Sequence, residues 1–141
     1  MNAPHRQQWF RMVMVLGVVY LSIGLAFGAL AGWAASSQMR FTWRLLSFLI
    51  SALVFAMHIG YEHFHLRHRP LITAWHTSMA VAIGAFALAV AANFHSWGVA
   101  SSNHRLLALA LVTFPAVTAI PAFVVALILA AGLTLRRQRS S

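Results

Sequence analysis

The stretch MVMVLGVVYLSIGLAFGALAGWAA, from Met12 to Ala35, carries no charged side chain. A helix over this length is long enough for a bilayer core, which needs about 20 mostly apolar residues at a rise of about 1.5 Å each. Working outward, three further windows are similarly apolar, with Arg44 the one charged side chain among them: Trp43–Tyr61, Leu71–Asn93 and Leu106–Leu135. The connections Ser36–Thr42, Glu62–Pro70 and Phe94–Arg105 are short, so successive helices should lie antiparallel as neighbours. The sequence predicts an all-α integral membrane bundle of four antiparallel transmembrane helices, with up-down topology, in a single domain over residues 1–141.

Composition supports this reading. Hydrophobic residues make up 61% of the chain and charged residues 8%, against roughly 25% charged in soluble domains. So few charges cannot cover a water-facing surface, and lipid must cover much of it. Ten basic residues, all arginine, stand against one acid, Glu62. The arginines are scattered singly or in pairs between apolar runs and form no dense basic face, so nucleic acid is excluded as a partner. Contact with the bilayer and its anionic head groups accounts for them. Without cysteine, the chain has no disulfide, iron–sulfur cluster or thiolate metal site.

Tryptophans and arginines fix limits and direction. Trp9, Trp33, Trp43, Trp75 and Trp97 all fall near a span end, the depth an amphipathic ring prefers. Arg6, Arg11, Arg67, Arg69, Arg136, Arg137 and Arg139 share one side, while Arg40, Arg44 and Arg105 lie on the other. The positive-inside rule then places both termini in the cytoplasm, and the absence of lysine beside abundant alanine and arginine points to a bacterial inner membrane. Arg6 and Arg11 ahead of an apolar run resemble a signal peptide with Ala29-Leu-Ala31 as a cleavage site. The run is longer than an h-region of about 7–15 residues, so a retained helix is expected.

Span one carries Gly24-xxx-Gly28-xxx-Gly32, with Gly17 on the same face. Such spacing forms a groove that admits another backbone. Its partner is a second copy, another membrane subunit, or the small-residue face Ala80, Gly84, Ala87, Ala91 of span three, and the internal partner is the expected one. Pro115 and Pro121 should bend span four, with Thr113 and Thr118 placed to satisfy the carbonyls they free.

The functional lead is a polar stripe. At about 100° per residue, Ser47, Ser51, His58, Glu62 and His65 fall within an arc of about 60° on span two. Lipid cannot satisfy these groups, so the stripe should face the bundle interior or a water-filled cavity. Antiparallel pairing brings His76 of span three to the depth of His58. Four readings follow. His58, Glu62, His65 and His76 have the chemistry to ligate zinc, iron, manganese or copper, with His63 or His68 behind them. His58 and His76 suit the axial positions of haem b, with Gly60 and Gly84 giving room. The stripe suits a proton or ion path. Finally, Glu62 can serve structurally by pairing with Arg67 or Arg69, or by facing the helix dipole of span three. A di-iron centre is excluded, because it needs more carboxylates than one.

Asn93, His95, Asn103 and His104 at the other side read as surface decoration. No phosphate-binding loop, Ser/His/Asp set or carboxylate pair exists, so a self-contained enzyme is the least expected class. The expectations are a small, histidine-rich membrane protein that handles metal or protons, a non-catalytic accessory subunit of a larger complex, or a haem b-binding protein.

Overall fold

A computed structural model describes residues 3–66, 69–96 and 104–139. They form four long helices: α1 (Ala3–Gly32), α2 (Ser37–Tyr61), α3 (Pro70–Ser96) and α4 (His104–Arg139). A π-helical turn, Glu62–Leu66, continues α2 directly. No strand occurs among the described residues. Arg67, His68, Trp97 and Asn103 lie outside the described residues, and with them the Glu62–Arg67 pairing read from the sequence.

All four helices are long and apolar enough to cross a membrane: Trp9–Gly32, Ser37–Leu66, Pro70–His95 and Arg105–Arg136. Only 11% of the most apolar window of α1, and 11% of that of α4, is buried inside the protein. The apolar remainder needs lipid.

Local signals explain the boundaries. Helix α2 starts well ahead of Trp43 because Ser36 caps it. Ser36 is extended (φ −126°, ψ 156°) and its hydroxyl accepts from the Met39 amide at 3.1 Å, satisfying one of the orphan donors of a helix start. Pro70 is the first residue of α3, where its missing N–H costs nothing. The Arg69 carbonyl accepts from the amides of Ile72 and Thr73. Pro115 and Pro121 lie inside an unbroken α4. The threonine expectation needs correcting, however. Thr113 donates to Leu109 O and Thr118 to Phe114 O and Pro115 O. The carbonyls deprived by the prolines are those four residues before each, Leu111 and Val117.

Helix α3 is the centre of the bundle. It packs along α4 and α1, while α2 lies mainly on α1 and meets α3 and α4 only weakly. Consecutive helices are therefore not uniformly the closest neighbours: α2 and α3 are joined by a short connection yet pack little. Small residues decide this. A Cβ on Gly17 would come within 2.7 Å of Ile83 Cγ2, and one on Gly24 within 2.5 Å of Leu88 Cδ1. A Cβ on Gly84 would reach 2.6 Å from Tyr20 Cβ. The paired numbers rise together, so α1 and α3 run parallel, interlocked through glycine. Asn93 ties α3 to α4 by donating at 2.8 Å to both Ala89 O and Leu107 O, a structural use of a residue read as surface decoration. Ile59 of α2 packs with Ala74 of α3 and Ala126 and Ala130 of α4, which draws the end of α2 onto the bundle.

The glycine stripe of α1 thus divides. Gly17 and Gly24 serve internal packing, whereas Gly28 and Gly32 have nothing within 4 Å of an added Cβ. The nearest atoms to a Cβ on Gly24 all belong to the Leu88 side chain, which can change rotamer, so Gly24→Ala should cost about 1 kcal/mol, at the low end for overpacking. Gly28→Ala should be neutral or stabilising by up to about 1 kcal/mol, through loss of unfolded-state freedom. Unfolding of both variants in mild detergent, followed by circular dichroism, checks the order.

Candidate functional site

The end of α2 builds the site. His58 and Glu62 are one turn apart, so their side chains stack on one face. That face turns inward: His58 is 3% exposed and Glu62 1%. His76, on the second turn of α3, meets them from across the interface. Its Nδ1 lies 3.0 Å from Glu62 Oε1 and 3.2 Å from Oε2, and His58 Nε2 lies 3.3 Å from the same Oε1. An ionised carboxylate only accepts, so with Glu62 charged both imidazole nitrogens donate. The network thereby assigns the Nδ1–H tautomer to His76 and an Nε2–H to His58.

Burial of the chain's one carboxylate is costly unless such donors compensate it. On α3, beside His76 in sequence, are further buried polar groups. Thr73 and Thr77 are both fully buried, and the Thr77 hydroxyl donates to Thr73 O at 2.7 Å. Helix α1 adds Trp9, whose ring sits 5.0 Å from the His76 ring at a 40° tilt. Among the described residues, three buried polar atoms have no hydrogen-bond partner here: His58 Nδ1, Trp9 Nε1 and Thr73 Oγ1. Such groups are rare in native interiors and mark places where water, ions or chemistry enter.

The structure brings together His58, Glu62 and His76 and leaves His65 out. Here the stripe expected from α-helical spacing is broken by the π-helical turn. Its i→i+5 bonding widens the turn and rotates the residues after Glu62. His65 therefore becomes exposed, stacked on Tyr61 at 5.1 Å and 14°. His63, read as a supporting group, is buried and edge-on to Phe64 at 5.1 Å. Among the described residues, no group of three or more histidine and acidic side chains is arranged to hold a metal ion. For haem, the room expected at Gly84 is taken up by Tyr20, and both imidazoles turn a nitrogen to Glu62.

No family model, curated protein or solved structure matches this chain.

Trp9, Thr73 and Thr77 are the site residues that sequence reasoning did not place there. Trp9 looked like one of five interfacial rings, and nothing in its neighbourhood distinguishes it. Thr73 and Thr77 carried a usable signal: with His76 they form a polar i, i+3, i+4 face on an otherwise apolar span.

Proposed function

We propose that this chain is a small multi-pass protein of a bacterial inner membrane that binds and transfers a proton at Glu62, near the cytoplasmic face. One observation carries the reading: the only acid of the chain is 1% exposed and hydrogen-bonded by imidazoles from two helices. Ionisable groups within membrane spans are costly to keep and typically line proton or ion pathways. The arginine distribution supports the cytoplasmic position of this end.

The chemistry follows from the two nitrogens of an imidazole. A proton arriving at His58 Nδ1 makes the ring cationic. The ring then yields its Nε2 proton to Glu62 Oε1, which leaves both groups neutral. His76, bonded to both carboxylate oxygens, holds the acceptor in place.

The test is proton flux into liposomes holding the purified protein, driven by an imposed potential and read by a trapped pH dye. Wild type should exceed protein-free liposomes, and Glu62→Gln should fall to their level. Equal flux in wild type and Glu62→Gln would remove the proposal. Metal analysis of the same preparations separates the metal version, which requires stoichiometric metal in wild type and its loss in His58→Ala.

A second reading, a non-catalytic accessory subunit, is supported by α2. Phe41, Leu45 and Phe48 on it are all exposed and share one helix face by their spacing, an apolar strip that another membrane subunit would cover in place of lipid. A clean monomer in mild detergent, with no co-purifying chain, would count against it.

A further inference from the structure

At the opposite end of the bundle from Glu62, α1 and α2 enclose a groove of about 570 Å³, open along its outer side. That volume lies within the range of small-molecule pockets, about 300–1,000 Å³. Its walls differ in character. One is the open glycine face of α1, Gly28 and Gly32 with Ala31 between them, floored by Phe27; the other carries Arg40 and Arg44, one turn apart on α2. We propose that this groove binds one anionic phospholipid, its phosphate held by Arg40 and Arg44 and an acyl chain lying over the glycine face.

Charge complementarity carries the argument. Arg40 and Arg44 make no ion pair among the described residues. Nor can the chain supply a partner, because its single acidic side chain, Glu62, lies about 27 Å further along the helix from Arg44. Two adjacent guanidiniums with no internal anion suit a phosphate, which they bind by charge-assisted hydrogen bonds. The positions fit a lipid lying along the bilayer normal. Arg40 follows shortly after the Ser36 cap, at the start of the span, so the cations sit at head-group depth. Gly32 and Gly28 lead inward from there, with nothing within 4 Å of an added Cβ on either, which leaves room for an acyl chain as far as Gly24, where Leu88 closes in. Phe27 and Trp43, with ring centroids 6.1 Å apart, join the two helices beside it.

A second copy of the chain is a poor occupant. A symmetric contact brings the same patch from both molecules, so four arginines would meet with no acid among them.

The purified full-length chain, offered equimolar phosphatidylglycerol and phosphatidylcholine, tests the proposal by native mass spectrometry. Two arginines at an anionic surface favour the anionic lipid about 30-fold, and wild type should show that preference with one lipid retained. Arg40→Gln/Arg44→Gln should bring it near unity, and Gly28→Leu should cut retention with both cations intact. Equal retention of the two lipids by wild type, or an unchanged preference in the double variant, overturns the proposal. So does displacement of the lipid by millimolar inorganic phosphate, which would identify a free-anion site, or disulfide dimers of Gly28→Cys in lipid, which would place a second copy there. Glu62→Gln should keep the preference, so this inference stands or falls apart from the proton reading.

Discussion

Replacing Glu62 by alanine should destabilise the protein by about 2–4 kcal/mol, the cost of leaving two buried imidazole N–H groups without their acceptor. The effect is large because the variant removes the acceptor while leaving His58 and His76 in a space from which water is largely excluded. Each imidazole nitrogen that now faces Glu62, at 3.0–3.3 Å, would be left buried and unmade. A triple variant behaves differently. His58→Val, Glu62→Leu and His76→Val together remove the three described partners at once and roughly conserve volume. Buried ionic clusters exchanged for packed apolar side chains are often neutral or stabilising by about 1–4 kcal/mol. The triple variant should therefore unfold no earlier than wild type in detergent, yet conduct no protons. If instead it is as unstable as Glu62→Ala, the cluster serves mainly to hold α2 onto α3, and its role in proton transfer loses its main support.

That contrast matters because α2 is otherwise so lightly attached to α3. Besides the packing of Ile59 against Ala74, Ala126 and Ala130, the Glu62–His76 bond ties the end of α2 to the centre of the bundle. A site between loosely packed elements can change its hydration and geometry more readily than one inside the tight α1–α3 seam. The unpartnered His58 Nδ1, Trp9 Nε1 and Thr73 Oγ1 are the groups such hydration would reach first.

The fold was legible in the sequence because the bilayer imposes a length and a polarity that few other environments demand. The windows from Met12 and Leu106 needed only counting. Convergence of His58 and Glu62 with His76 was also legible, since i, i+4 spacing and a short turn leave little freedom. His65 was misplaced because periodicity assumes one helical pitch, and nothing in Glu62–Leu66 announces a switch to the wider π turn. The neighbour relations of the helices were legible only in part. Glycine spacing showed that α1 could approach something closely and that span three could receive it. It did not show that α1 and α3 would pack at the expense of α2 and α3. Gly24 and Gly28 look alike in sequence, yet one meets Leu88 and the other meets nothing. Which glycines are filled depends on where two helix axes diverge, and that is a property of the whole bundle.

Gly84→Ala tests the seam that organises the rest, and should cost about 3 kcal/mol, the upper end for overpacking. The new methyl would stand 2.6 Å from Tyr20 Cβ and 3.2 Å from Gly17 O. Neither atom is the end of a flexible side chain, so relief requires α1 and α3 to move apart. This separates Gly84 from Gly24, where only the Leu88 side chain must turn. A double-mutant cycle identifies the atoms responsible. Tyr20→Gly removes the Cβ that clashes, so its combination with Gly84→Ala should be less damaging than the sum, by about 1 kcal/mol or more. Tyr20→Ala removes the ring but keeps the Cβ, and its cycle with Gly84→Ala should close to within about 0.5 kcal/mol. The same displacement of α1 carries Trp9 away from His76, so Gly84→Ala should also raise hydrogen exchange at the α1 end that packs on the site. Equal coupling for the two tyrosine variants would mean that the ring, rather than the backbone approach, sets the spacing of α1 and α3.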